Sequence, residues 1–200
     1  MDLDQLKKNY RIVLTGGPGA GKTTAADLLQ REMDHKIAIV PESATMIFSG
    51  GFPRKTNESC LVATQKTIYH VQKNMENVIS ATYPERVLLC DRGTVDGSAY
   101  WPESHDDFFK QLKTTKEKEF ARYDAVIFFE SAAVGGDQIE GGNPARVESL
   151  AEAAILDEKL RKIWCEHPNF HLIRHQKSFF KKITKAINLL NKIIHNGHKK

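Results

Sequence analysis

Residues Arg11–Thr24 read RIVLTGGPGAGKTT. A short apolar run, Ile12-Val13-Leu14, is followed by Gly16-Gly17-Pro18-Gly19-Ala20-Gly21-Lys22-Thr23, with Thr24 and a helical pattern behind it. The spacing satisfies G-x-x-x-x-G-K-[ST] in the strand–loop–helix context that this phosphate-binding loop requires. Glycines let the backbone turn its N–H groups toward one point, and the following helix adds its N-terminal dipole. The anion such a loop suits is a polyphosphate. Lys22 would reach the β- and γ-phosphates, and the Thr23 hydroxyl would ligate Mg²⁺. The chain is therefore expected to bind a nucleoside triphosphate.

Two hundred residues suffice for one domain with a sizeable core. No run approaches 18 apolar residues, so no transmembrane helix is expected. The N-terminal MDLDQLKKNY lacks the apolar stretch of a secretory leader. Cys60, Cys90 and Cys165 are odd in number and far apart, which suggests neither a disulfide framework nor a zinc site. The cytoplasm is the expected compartment. Charge is unevenly placed. The first 166 residues carry 21 basic and 25 acidic side chains, and the last 34 carry eight basic and no acidic ones. A basic tail of this kind is either a solvated helix face lying on an acidic body, or a surface for anionic lipid or nucleic acid.

Further strands are expected at about 36–40, 86–90, 125–129 and 170–173, separated by helical patterns. Such alternation implies an α/β fold with a parallel sheet covered on both faces. Glu42 follows Pro41 at the end of the second strand, where ligands of open α/β sheets gather. It could receive a hydroxyl proton or support Mg²⁺, or serve the dipole of the segment behind it. The loop at 49–57 carries Arg54 and Lys55 and reads as an acceptor-binding flap or as a solvated turn.

A long helix from Cys60 to Ser80 has a stripe of Leu61, Gln65, Ile68, Gln72, Met75 and Ile79. Its two glutamines occupy apolar positions and need partners, in the core or on a substrate, because an unpaired buried amide costs about 1–3 kcal/mol. Asp91-Arg92-Gly93 ends the third strand. Asp91 is expected in the Mg²⁺ shell, with Arg92 and Asp96 toward the acceptor. Tyr100 and Trp101 stack on a planar ligand or pack. Residues 105–120 read as a polar, exposed helix. The glycine-rich segment at about 131–147 reads as a lid that delivers Arg146 to the moving phosphoryl group. Ser178 begins a final helix, to about 195, with an apolar face and lysines opposite it.

These motifs together resemble a known branch. The phosphate loop, Pro41-Glu42, D-R-G-x-x-D-x-x-A-Y at Asp91–Tyr100 and N-P-A-R-x-E at Asn143–Glu148 are similar to the AAA-type ATPase/kinase domain related to bacterial nicotinamide riboside kinases. More distantly the chain is similar to thymidylate and deoxynucleoside kinases. The resemblance spans about residues 9–195 and implies a single three-layer P-loop NTPase domain of five parallel strands in order 2-3-1-4-5. By resemblance, Lys22, Glu42, Asp91, Arg92 and Arg146 are catalytic, and Thr23 and Asp91 serve the metal. Glu42, Arg54, Gln65, Arg92 and Asp96 would meet an acceptor. ATP with Mg²⁺ is expected, with GTP possible; a guanine-specific N-K-x-D is absent. The implied activity is a kinase acting on a nucleoside-, nucleotide- or riboside-like acceptor. The alternative is an ATPase or GTP-binding switch whose basic tail meets a phosphoinositide or nucleic acid.

Overall fold

The computed structural model describes residues 9–135, 149–176 and 178–197. Five strands form one sheet: β1 (Arg11–Thr15), β2 (Ile37–Val40), β3 (Val87–Asp91), β4 (Ala125–Phe129) and β5 (Phe170–Ile173). Their order is β2-β3-β1-β4-β5, and every pairing is parallel. The order expected from the family resemblance is the order found. Leu14 lies opposite both Asp91 and Ile127, so β1, β3 and β4 end side by side at one edge of the sheet.

Successive residues of a strand point to opposite faces, and both faces here are apolar. Ile12, Leu14, Leu89, Ile127 and Phe129 face α1 (Lys22–Met33) and α7 (Phe179–Gly197). Val13, Leu88, Cys90, Val126 and Phe128 face the other way. They pack under α3 (Glu58–Thr82), α4 (His105–Gln111), α5 (Lys116–Phe120) and α6 (Leu150–Trp164). This is the three-layer arrangement expected from the alternating pattern. A short helix, α2 (Ser43–Ser49), joins β2 to the flap and stops at Gly50-Gly51.

Residues 105–120 differ from expectation. They form two helices rather than one, and they are not an exposed polar face. Phe108, Phe109, Leu112 and Phe120 are buried against Trp101, Tyr69 and Trp164. The break falls at Lys113, whose φ of 54° lies in the left-handed region, and Thr115 caps the second helix through its side chain. No described helix is long and apolar enough to cross a membrane.

Candidate active site

The loop between β1 and α1 is held from four directions. Gly16 has φ 132°, and a Cβ there would lie 2.0 Å from the Phe129 carbonyl oxygen, so only glycine lets β1 and β4 close up at this point. The Gly17 N–H donates to Asp157 Oδ1 (2.8 Å), which also accepts from the Ser131 N–H (2.9 Å). Burial raises the Asp157 carboxyl, while these two donors and Lys22 pull it back down. Ser131 Oγ donates to the Pro18 carbonyl, and Lys182 Nζ donates to the Ala20 carbonyl (2.9 Å). Lys22 is buried and donates from Nζ to the carbonyls of Gly16 and Gly17, each at 2.8 Å.

Thr23 and Asp91, the two residues expected to serve Mg²⁺, lie side by side. Thr23 Oγ1 donates to Asp91 Oδ2 (2.8 Å), across 68 residues of sequence. Asp91 is 3% exposed, and its Oδ1 has no hydrogen-bond partner among the described residues. Burial raises its carboxyl, Glu42 adds to the rise, and Lys22, Arg92 and Thr23 oppose it. A buried carboxylate with an unused oxygen beside a hydroxyl, at the foot of a phosphate loop, suits Mg²⁺. That ion takes hard oxygen donors and completes its shell with waters and phosphates. Among the described residues no cluster of three histidine, cysteine or acidic side chains forms a metal cage. The donor set therefore fits an ion that arrives with a nucleotide.

Arg92 is a junction. It has φ 93° and is 8% exposed. Its Nε donates to Glu42 Oε1 (3.1 Å) and its Nη1 to the Gly16 carbonyl (2.7 Å), with Asp96 Oδ1 at 3.7 Å. Burial works against the charge, but Tyr100, Glu42, Asp96 and Asp91 outweigh it and hold the guanidinium above its ordinary value. Glu42 is the N-cap residue of α2, yet its side chain makes no capping bond. Its Oε2 accepts from Thr45 Oγ1 (2.6 Å), so the carboxylate is oriented from both sides. Asp96 accepts from the Gly93 N–H (2.6 Å), Trp164 Nε1 (3.3 Å) and the Thr15 hydroxyl, which locks the turn after β3.

Beside these groups opens a cavity of about 460 Å³. Its lining includes Glu42, Arg92 and Asp96 at the loop end, Gln65 and Gln72 from α3, and Phe48, Arg54 and Lys55 from the flap. Arg54 stacks its guanidinium 3.9 Å from the Phe48 ring centre. Gln65 is 6% exposed. Gln72 donates from Nε2 to the Arg92 carbonyl (3.1 Å), and its buried Oε1 has no partner among the described residues. Tyr100 lines the cavity, whereas Trp101 packs on Phe108 and donates to Asp107 (2.9 Å). The structure thus gathers Lys22, Thr23, Glu42, Asp91, Arg92, Asp96, Gln65 and Arg54 around one loop and one cavity. Arg146 and most of the segment expected as a lid lie outside the described residues.

Three contributors escape a reading of the sequence: Asp157, Ser131 and Lys182. Asp157 stands between Ala153 and Leu160 on the buried stripe of α6. It is a polar residue in an apolar position, the signal that singles out the glutamines of α3. Lys182 corrects the expectation that the lysines of the last helix lie opposite its apolar face, since it is 3% exposed.

The sequence pattern of the AAA domain family matches residues 11–180. The chain belongs to the AAA domain family. No curated protein matches it. Among solved structures, this AAA domain is similar to deoxyadenosine kinase from M. mycoides with bound dATP, with a TM-score of 0.63 at 13% identity. The match covers 92% of this chain and 100% of the kinase. At that identity the likeness establishes a shared fold, that of a P-loop nucleoside kinase.

Proposed function

We propose that this AAA domain is a small-molecule kinase that transfers the γ-phosphoryl group of ATP to a hydroxyl of a nucleoside-, nucleotide- or riboside-like acceptor. The observation that carries the reading is the cavity itself. It is a space of about 460 Å³ beside the phosphate loop, with an oriented carboxylate, Glu42, on its wall. An ATPase or switch has no use for such a space, whereas a phosphoryl acceptor needs one. The deoxyadenosine kinase relative supports a nucleoside-like shape for the acceptor.

In this mechanism the loop amides and Lys22 hold the β- and γ-phosphates, with Lys22 leaving the Gly16 and Gly17 carbonyls to do so. The acceptor hydroxyl lies within reach of Glu42. As its oxygen bonds to the γ-phosphorus, its proton passes to Glu42, and the β–γ bridging oxygen departs with the nucleoside diphosphate. Arg92 and Thr45 fix the Glu42 carboxylate from its two oxygens and so orient it for that hydroxyl. The Phe48 ring offers a face for a planar base, and the Gln65 amide offers a donor and an acceptor to its edge. Mg²⁺, held by Thr23 and Asp91, would neutralise charge building on the transferring phosphoryl group.

The test is a screen of nucleosides, nucleotides and pyridine ribosides for acceptor-dependent ADP release. A hit is expected to vanish in Lys22→Ala and in Glu42→Gln. Release of ADP at one rate with every acceptor, and without any, would sink the proposal.

The switch reading keeps one supporting observation. Phe179 and Phe180 are 43% and 80% exposed at the start of α7, directly before the exposed Lys181. Aromatic and basic side chains so placed suit an anionic lipid surface.

A further inference from the structure

The first turn of α7 holds a lysine where ordinary stability would not put one. Lys182 is 3% exposed, so its charge is stripped of water. It stands near a helix N-terminus, where the macrodipole favours anions, and that turn contains no acidic residue. Lys181 and Lys185 on the same helix are exposed. A methionine would fill the site of Lys182 without a charge to desolvate. Its donors are nevertheless fully directed: Nζ bonds the Ala20 carbonyl (2.9 Å) and the Glu130 carbonyl (2.6 Å), with the Phe129 ring 5.7 Å away.

The Ala20 carbonyl and the Gly21 N–H share one planar trans peptide and point in opposite directions. Pinning the carbonyl to Lys182 therefore fixes the aim of the Gly21 amide. Ser131 does the same for the Pro18 carbonyl and the Gly19 amide. The loop's alternate peptides are set from outside, one by a hydroxyl and one by an ammonium. Removing either would leave a phosphate-binding amide free to turn away.

We infer that Lys182 is a positioning residue for the triphosphate, fixing the Gly21 amide and placing a buried positive charge behind the phosphate loop without touching phosphate. The inference rests on the nucleotide-binding reading above. The groups that face this ammonium from other elements are the carboxylates of Asp157 on α6 and Glu130 at the end of β4. Asp157 is engaged by Gly17 and Ser131, and Glu130 by Arg161 (3.4 Å) and the His175 N–H (2.8 Å). Burial lowers Lys182 to about 8, against the upward pull of both carboxylates. A polyphosphate bound in front of the loop favours the ammonium and raises that value again. Binding must then draw a proton from solvent when the solution is near pH 8.

The experiment is calorimetric titration of the full chain with Mg²⁺ and a non-hydrolysable ATP analogue, at pH 8 in buffers of different ionisation enthalpy. A one-unit rise on binding corresponds to an uptake of roughly 0.4 proton per nucleotide at pH 8, and to affinity falling about sevenfold from pH 7 to pH 9.5. Lys182→Arg keeps a charge that does not titrate, so it should show no uptake and a flat profile. Lys182→Met should show no uptake and roughly tenfold weaker binding at pH 7. Binding by the wild type without proton uptake overturns the inference, and that result needs no variant. Uptake that persists in either variant overturns it as well. Absence of binding by the wild type at both pH values would instead remove the nucleotide reading beneath it.

Discussion

Asp91 is kept as a carboxylate where burial opposes its charge, and Thr23 supplies its single described hydrogen bond. Its folded carboxyl lies above the ordinary value, so the protonated form is the one that folding favours. That contribution is fully present in acid and is lost as pH rises through the raised value. At neutral pH without ligand, Asp91 therefore costs stability and is retained for the metal. Asp91→Asn is expected to raise the melting temperature of the free protein by about 2–4 °C, as roughly 1 kcal/mol would do at this size. It should also abolish the extra stabilisation that Mg²⁺ gives to the nucleotide complex; scanning calorimetry with and without Mg²⁺–nucleotide reads both. Glu42→Gln keeps the shape of the side chain and loses the base. We expect kcat to fall on the order of 10²–10⁴-fold while triphosphate affinity holds within about twofold, measured by single-turnover transfer and by nucleotide titration. Lys22, Thr23, Asp91 and Glu42 were legible in the sequence because each sits at a strand end or in a motif of fixed spacing. Asp157 was not, because its partner Gly17 lies 140 residues away and only the finished packing brings the two together.

Helix α3 carries two jobs on adjacent faces. Leu61, Gln65, Ile68, Tyr69 and Gln72 wall the cavity, while Glu76 and Ser80 are buried toward the sheet. On the second face Glu76 has no exposure and gathers Arg11 (3.4 Å), Arg122 and the Tyr123 hydroxyl (2.7 Å), joining α3 to β1 and to the segment before β4. The heptad stripe flagged the two glutamines but passed over Glu76, which lies one position from Met75 and looks like a solvated acid in sequence. Two arginines far along the chain make its burial tolerable, and no local pattern announces them. The misreading of 105–120 has a similar cause: its apolar residues are spaced for two short helices, and the left-handed Lys113 between them has no sequence signature. Because Glu76→Gln removes the described counter-charge of buried Arg11 and leaves Arg122 with Glu119 alone (3.6 Å), urea unfolding should show a loss of about 3–5 kcal/mol. Gln72 of the cavity wall donates to Glu76 (3.4 Å), so any acceptor Michaelis constant should shift as well in the fraction that stays folded.

At the scale of the molecule, one edge of a parallel sheet gathers everything the proposed chemistry uses. The phosphate loop, Glu42, Asp91 and the Ser131 turn all follow the carboxyl ends of neighbouring strands. The fold was legible because the apolar runs of its strands are continuous and buried on both sides, a pattern that few other architectures produce. The acidic body and basic tail admit two readings, and the structure divides the tail's lysines between them. Lys182 is turned inward under the loop, whereas Lys181, Lys185 and Lys192 face solvent. If α7 serves only to cover the sheet and support the loop, the exposed three are dispensable. Reversing them together (Lys181→Glu, Lys185→Glu, Lys192→Glu) should then leave phosphoryl transfer and nucleotide-induced stabilisation within about twofold of wild type, since exposed charges contribute little and are screened by salt. The same triple variant should abolish any retention on vesicles containing anionic lipid, because each basic residue near such a surface contributes about 1 kcal/mol. Transfer retained and vesicle binding absent in both proteins would assign the tail to packing. Transfer lost with vesicle binding would instead make the membrane surface part of the reaction.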